Sequence, residues 1–151
     1  MMIKYDSAVL FCKDVRASHA FYGGVLGLET KMDNGGHVAY VCGLSIWDID
    51  MAHGLVFGEK RPSGGGDFEL CFVSDDIMAD YNRLKGDAKV LTEPVEQPWG
   101  QFVFRLSDPD GYVVEFGERL SSTLKRLREA GFSDEEIEKK CHAPVEILEK
   151  L

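Results

Sequence analysis

Glu115 is the residue that most needs a chemical explanation. It stands inside the apolar run Tyr112-Val113-Val114-Glu115-Phe116, where a carboxylate must find a hydrogen-bond donor or a cation. A carboxylate so placed can ligate a metal, act as a general base or hold a polar group of a ligand. Glu69 opens a second apolar run, Leu70-Cys71-Phe72-Val73, and offers the same chemistry more weakly because a strand edge can be solvated. The four histidines do not cluster in the chain: His19 borders the apolar stripe of a helix, His37 opens a strand, His53 falls in a loop and His142 in the C-terminal tail. Each reads as structural, and Cys141 and His142 point apart as chain neighbours usually do. Cys12, Cys42, Cys71 and Cys141 form no C-x-x-C pair. Three of them lie in apolar, strand-like runs, which reads as free buried thiols of a reducing compartment. There is no Ser-His-Asp order, phosphate-binding loop or dinucleotide glycine fingerprint.

The elements that position these residues repeat. Residues 4–12 read as a strand, 15–25 as a helix stopped by Gly27, and 28–32 as a strand that ends in the turn Asp33-Asn34-Gly35-Gly36. Residues 37–42 and 44–49 are two further strands, followed by a loop marked by Gly58, Pro62 and Gly64-Gly65-Gly66. The order then returns: strand 68–74, helix 77–85, strand 89–92, and a hairpin of 100–106 with 112–116 around Ser107-Asp108-Pro109-Asp110-Gly111. Both halves run strand, helix, three strands, with an offset of about 62 residues. The architecture expected is α+β, one domain over residues 1–118 with modules at about 3–52 and 67–118. Residues 119–151 form a helical extension, with a capping box at Ser133 and Glu136 and Pro144 opening a last helix. Its apolar stripes are expected to pack on the main domain.

The chain has 151 residues, 17 Lys plus Arg against 26 Asp plus Glu, and a formal charge of -9. So acidic a surface repels phosphate backbones and anionic bilayers, which argues against nucleic-acid and membrane partners. The early apolar run of residues 8–12 is too short for a signal-peptide core or a membrane span, and a cytoplasmic protein is expected.

The stretch from Val9 to Val15, leading into Phe21-Tyr22-Gly23-Gly24-Val25-Leu26-Gly27, resembles the first module of the vicinal oxygen chelate superfamily of glyoxalase, bleomycin-resistance and extradiol-dioxygenase-like proteins. Trp99-Gly100-Gln101-Phe102-Val103-Phe104 and Asp108-Pro109-Asp110-Gly111 with Glu115 resemble its second-module hairpin. The resemblance implies two βαβββ modules, each curling into half of a barrel, and a homodimer. Many members hold a divalent metal with His and Glu side chains, and the metal chelates neighbouring substrate oxygens. Carried over by position, the ligand set becomes Ser7, Trp47, Glu69 and Glu115, with Trp47 found by overlaying Gly43 on Gly111. This set contains no histidine. The two carboxylates repel unless a cation or donor sits between them, and could hold a hard ion such as Mg²⁺ or Mn²⁺ only weakly. If Ser107 pairs with Tyr112, then Phe102 and Phe104 share the face of Glu115, while Tyr5, Val9 and Phe11 share that of Ser7. With Trp47, and Trp99 near the rim, they would line an aromatic cavity. The implied function is binding of a small, partly hydrophobic or aromatic molecule without a complete catalytic metal site. The alternative is a divalent-metal lyase, isomerase or dioxygenase with a shifted ligand set of Glu69, Glu115 and His37 or His53.

Overall fold

A computed structural model describes residues 5–60 and 69–151. Lys4, Pro62, Gly64, Gly65, Gly66 and Phe68, which the sequence places in a strand start or a loop, lie outside the described residues. The chain forms two compact units, residues 1–67 with 108–112 and residues 68–107 with 113–151.

In the first unit, β1 (Ala8–Cys12) leads to Asp14, whose carboxylate accepts the Ala17 N–H at 3.0 Å and starts α1 (Val15–His19). The helix continues as a π-helical turn, Ala20–Val25. Gly23 is required there by close approach, since an added Cβ would lie 2.7 Å from Cε1 of His19. That ring is held by Tyr40, whose hydroxyl lies 3.0 Å from Nδ1. β2 (Thr30–Asp33), β3 (His37–Tyr40) and β4 (Leu44–Asp48) complete a sheet of order β1-β4-β3-β2, with β4 parallel to β1. Leu10, Cys12, Val38, Tyr40 and Ile46 face the helix and are buried with Tyr22. Next comes a helix that the sequence reading took for loop, α2 (Ile49–Phe57). Asp48 caps it by accepting the Met51 N–H at 2.9 Å, and Gly58 closes it at φ +73°. These caps, and not its weak apolar periodicity, are the signals that define α2.

The second unit repeats the pattern. β5 (Glu69–Ser74), α3 (Ile77–Leu84), β6 (Lys89–Glu96), β7 (Phe102–Ser107) and β8 (Val113–Glu118) give the order β5-β8-β7-β6, with β8 parallel to β5. Asp76 caps α3 as Asp14 caps α1. β6 runs four residues past the expected Thr92, with irregular register between Thr92 and Val95, where Pro94 removes a donor and the ladder tolerates a bulge. Leu106, Val114, Phe104 and Phe116 are buried on the α3 side, the last two stacked at 4.7 Å between ring centroids.

The turn of residues 108–112 belongs to the first unit. Buried Asp108 accepts the Tyr22 hydroxyl at 2.8 Å and the N–H groups of Asp110 and Tyr112 at 2.9 and 2.8 Å. Asp110 accepts the Lys13 N–H at 2.9 Å and the Ser18 hydroxyl at 3.1 Å, and Tyr112 donates to the Phe11 carbonyl at 3.0 Å. The two halves of the D-P-D-G motif are thus hydrogen-bond anchors for α1 and β1.

The tail forms α4 (Leu120–Glu129), α5 (Asp134–Cys141), with the expected Ser133–Glu136 capping box, and α6 (Val145–Leu148). Leu124, Leu127, Ile137 and Leu148 form a buried cluster flanked by Leu120, Cys141, Ala143 and Val145, and Leu127 and Cys141 also pack close to Gly100 of the domain, at 3.3 and 3.5 Å from where its Cβ would lie. Three helices supply enough mutual apolar surface for the cluster. Polar groups attach the tail to the sheet. Buried Glu118 accepts Arg126 Nε and Nη2 at 3.1 and 2.8 Å, the Thr123 hydroxyl at 2.9 Å and the Phe102 N–H at 3.2 Å.

Candidate functional site

The register of β7 and β8 decides what stands beside Glu115. Ser107 pairs with Val113, Arg105 with Glu115 and Phe104 with Phe116. The five-residue turn closed by Asp108 shifts the pairing by one position from the one expected, and a one-residue slip exchanges the two faces of a strand. Phe102 and Phe104 therefore do not share the face of Glu115: Phe104 contacts Tyr81 of α3, and Phe102 lies 4.6 Å under the Arg126 guanidinium. Arg105 takes their place. It is the functional residue that the sequence reading missed, and its signal was a lone cation in the apolar run Phe102-Val103-Phe104-Arg105-Leu106.

Cys71 is beside Glu115 in the parallel β5–β8 ladder, and Glu69 lies one pleat away on the same face. Arg105 Nε donates to Glu69 at 3.0 Å, and Nη2 donates to Glu115. One guanidinium thus bridges both carboxylates. Burial raises the Glu115 pKa, opposed by Arg105 and reinforced by Glu69. Partial burial, with Glu115 and Glu69 nearby, also pushes the Cys71 thiol up, which favours its neutral form. Cys71 and Cys42 are exposed and only Cys12 is fully buried. This corrects the expectation of buried thiols: Cys42 lies past the end of β3, in the turn before β4, and Cys71 is on the exposed face of β5, where alternate residues point to opposite sides.

The first module differs at the corresponding positions. Asp14 and Asp76, the two helix caps, are 62 residues apart, so Glu69 corresponds to Ser7 and Cys71 to Val9. The β4 residue beside Val9 is Ser45. Ser45, not Trp47, therefore stands where Glu115 stands. The overlay of Gly43 on Gly111 fails because the β7–β8 turn is longer than the β3–β4 turn. Ser7 and Ser45, with Asp6, Val9, Lys31 and His37, line a cavity of about 230 Å³. This is below the ~300–1,000 Å³ of drug-sized pockets and suits a fragment-sized molecule. Ser7 donates to Asp6 at 3.1 Å, Ser45 is buried, and His37 Nε2 is buried without a hydrogen-bond partner among the described residues.

Phe11, His37 and Trp47 share this face, as β1 and β4 pair Phe11 with Trp47 and β3 and β4 pair His37 with Trp47. Ring centroids are 6.1 Å apart for Phe11–Trp47 and 5.9 Å for His37–Trp47. His53, expected in a loop, is buried on α2 with its ring 5.6 Å from Phe11. Tyr5 is 82% exposed and precedes β1, so strand alternation does not place it on this face. Trp99 lies in the β6–β7 loop with its indole N–H on Gln101 at 2.8 Å.

Glu69, Cys71 and Glu115 offer three ligand atoms within 4.8 Å of one another, the donor set that bears on a family metal. As arranged, it does not fit a divalent ion. One oxygen of each carboxylate is hydrogen-bonded to a guanidinium, which keeps its charge at any ordinary pH and repels a second cation beside it.

Sheet order, the paired modules and the D-P-D-G anchors define a protein of the vicinal oxygen chelate superfamily. The chain belongs to the glyoxalase-like domain family, whose match covers residues 5–121. The uncharacterized protein YwbC of Bacillus subtilis strain 168 is 29% identical over 129 residues, spanning 79% of this chain and all of that relative. A crystal structure of a protein of unknown function from Agrobacterium tumefaciens strain C58 is similar with 27% identity and a TM-score of 0.74, over 78% of this chain and 95% of the other. Lactoylglutathione lyase from Agrobacterium tumefaciens is similar with 26% identity and a TM-score of 0.61, over 75% and 91% of the two chains. Among the described residues no helix is long and apolar enough to cross a membrane.

Proposed function

We propose that this glyoxalase-like protein binds a small, partly hydrophobic or aromatic molecule without a catalytic metal. The observation that carries the reading is the pair of serines, Ser7 and Ser45, at the first-module positions of Glu69 and Glu115, both lining the 230 Å³ cavity. Neutral hydroxyls orient a ligand by hydrogen bonds but are poor partners for a divalent cation beside imidazole or carboxylate. Phe11 and Trp47 supply apolar wall, and His37 Nε2, without a partner among the described residues, favours a ligand with a polar group.

The test uses Trp47 as reporter. The chain has two tryptophans, so Trp99→Phe leaves Trp47 alone, and 4-nitrophenol, a small aromatic quencher, is titrated into that protein. Saturable quenching that is weakened by Ser45→Val supports the reading. Linear quenching that is indifferent to Ser45→Val refutes it. A homodimer in the cytoplasm belongs to the same proposal, and sedimentation equilibrium tests the dimer.

A second reading, a divalent-metal lyase, isomerase or dioxygenase, starts from the closeness of Glu69, Cys71 and Glu115 and needs Arg105 to leave both carboxylates. It requires metal-dependent turnover that disappears in Glu115→Gln.

A further inference from the structure

Two carboxylates and a thiol converge on one face of the second-unit sheet, and a guanidinium from the neighbouring strand is hydrogen-bonded to both carboxylates. We propose that Arg105 is the resident cation of a latent metal site: it closes Glu69, Cys71 and Glu115 to divalent ions, and replacing it with a neutral residue opens them. The inference rests on the metal-free reading above and adds the device that enforces it.

The placement is built into the ladder. Arg105 is the direct cross-strand partner of Glu115, and Cys71 is the neighbour of Glu115 on its other side. The guanidinium therefore meets the ligand set from β7, as the thiol does from β5. Nε and Nη2 lie on one edge of the guanidinium, so this edge spans an oxygen of each carboxylate. An arriving ion must compete with the guanidinium for these carboxylates and share the site with a positive charge. Lysine could shed its proton to relieve that repulsion, whereas arginine cannot. Charge balance points the same way. Two carboxylates with one guanidinium leave a net charge of -1, and a neutral thiol adds nothing. Without Arg105, two carboxylates at short range demand a cation, and a mixed oxygen and sulfur set suits Zn²⁺ or Co²⁺.

The experiment measures Co²⁺ binding to the full chain and to Arg105→Ala, Arg105→Gln and Arg105→Lys, by calorimetry and absorption, with circular dichroism as the check on folding. Two charge-assisted hydrogen bonds must be broken in the parent, so its Co²⁺ affinity is expected to be at least ~100-fold below that of the neutral variants. Arg105→Ala and Arg105→Gln should take one ion per chain, with a thiolate-to-cobalt band that Cys71→Ser removes and binding that Glu115→Gln abolishes. Arg105→Lys should bind more weakly than both near neutral pH. Should the neutral variants fail to fold, refolding with Co²⁺ should rescue them, and absence of rescue overturns the proposal. Folded variants that take no ion overturn the latent site but leave the metal-free ligand-binding reading intact. Stoichiometric Co²⁺ in the parent, lost in Glu115→Gln, overturns both.

Discussion

Replacing Arg126 with Met should loosen the C-terminal helices, and the size of the effect follows from the contacts. Arg126 gives two charge-assisted hydrogen bonds to Glu118 and one at 2.5 Å to the Gly100 carbonyl, and its guanidinium lies 4.6 Å from the Phe102 ring. Methionine retains much of the aliphatic stem but leaves Glu118 with only the neutral donors Thr123 and Phe102 N–H. A charge-assisted bond contributes ~1.5–3 kcal/mol when buried. The Glu118 side chain is 10% exposed but that of Arg126 is 31% exposed, so each bond is discounted for solvent screening to about 1 kcal/mol. Two such bonds, with the strained position of a buried carboxylate that has lost its cation, give a loss of roughly 2–3 kcal/mol. For a chain of this length that is a fall of about 5–10 °C in Tm. Thermal unfolding followed by circular dichroism measures it, and a cycle with Glu118→Gln isolates the pair. A change in Arg126→Met of under ~0.5 kcal/mol, or no coupling in the cycle, would mean that the tail is held by its apolar cluster alone.

Acidification should act on the same residue. Burial alone would raise the Glu118 pKa, but hydrogen bonds from Arg126, the Phe102 N–H and Thr123 hold it below the ordinary value. A depressed carboxyl contributes stability above its unfolded pKa and loses it as pH falls through the folded one. Tm should therefore drop below about pH 4.3, and drop less in Glu118→Gln. Asp108→Ala removes the acceptor of three hydrogen bonds at a buried position and should cost ~2–4 kcal/mol in urea unfolding; a loss under ~1 kcal/mol would show that the turn holds without its carboxylate. Gly23→Ala forces the His19 ring aside and should cost ~1–3 kcal/mol, with an unchanged urea midpoint as the contrary result. In the folded protein a thiol reagent should modify exposed Cys42 and, more slowly because its thiol is held neutral, Cys71, while Cys12, buried and with its pKa pushed up to about 11, reacts only on unfolding. Mass mapping of the labelled peptides decides this.

The paired βαβββ order, the capping box at Ser133 and Glu136, and the glycines that end elements were legible in the chain because they are local. Each depends on periodicity over a few residues or on one side chain reaching a nearby N–H. The importance of Glu115 was legible for a related reason, since a carboxylate in an apolar run is anomalous wherever the run ends up. The placing of Phe11 on the face of Ser7 and Val9 needed only strand alternation, which requires no knowledge of the partner strand.

What surrounds Glu115 was not legible. Strand pairing depends on the conformation of the intervening turn, and the Asp108 carboxylate holds that turn one residue away from the simplest hairpin. A single step exchanged Phe104 for Arg105 on the site face. Turn length likewise decided that Ser45, and not Trp47, is the first-module counterpart of Glu115. α2 was missed because its helical periodicity is weak and its caps decide it. The sequence alone determined that this is a two-module glyoxalase-like chain with an unusual set of ligand positions. The tertiary structure decided that the two carboxylates are already served by Arg105, because only the hydrogen-bonded register brings a cation from one strand onto acids carried by two others.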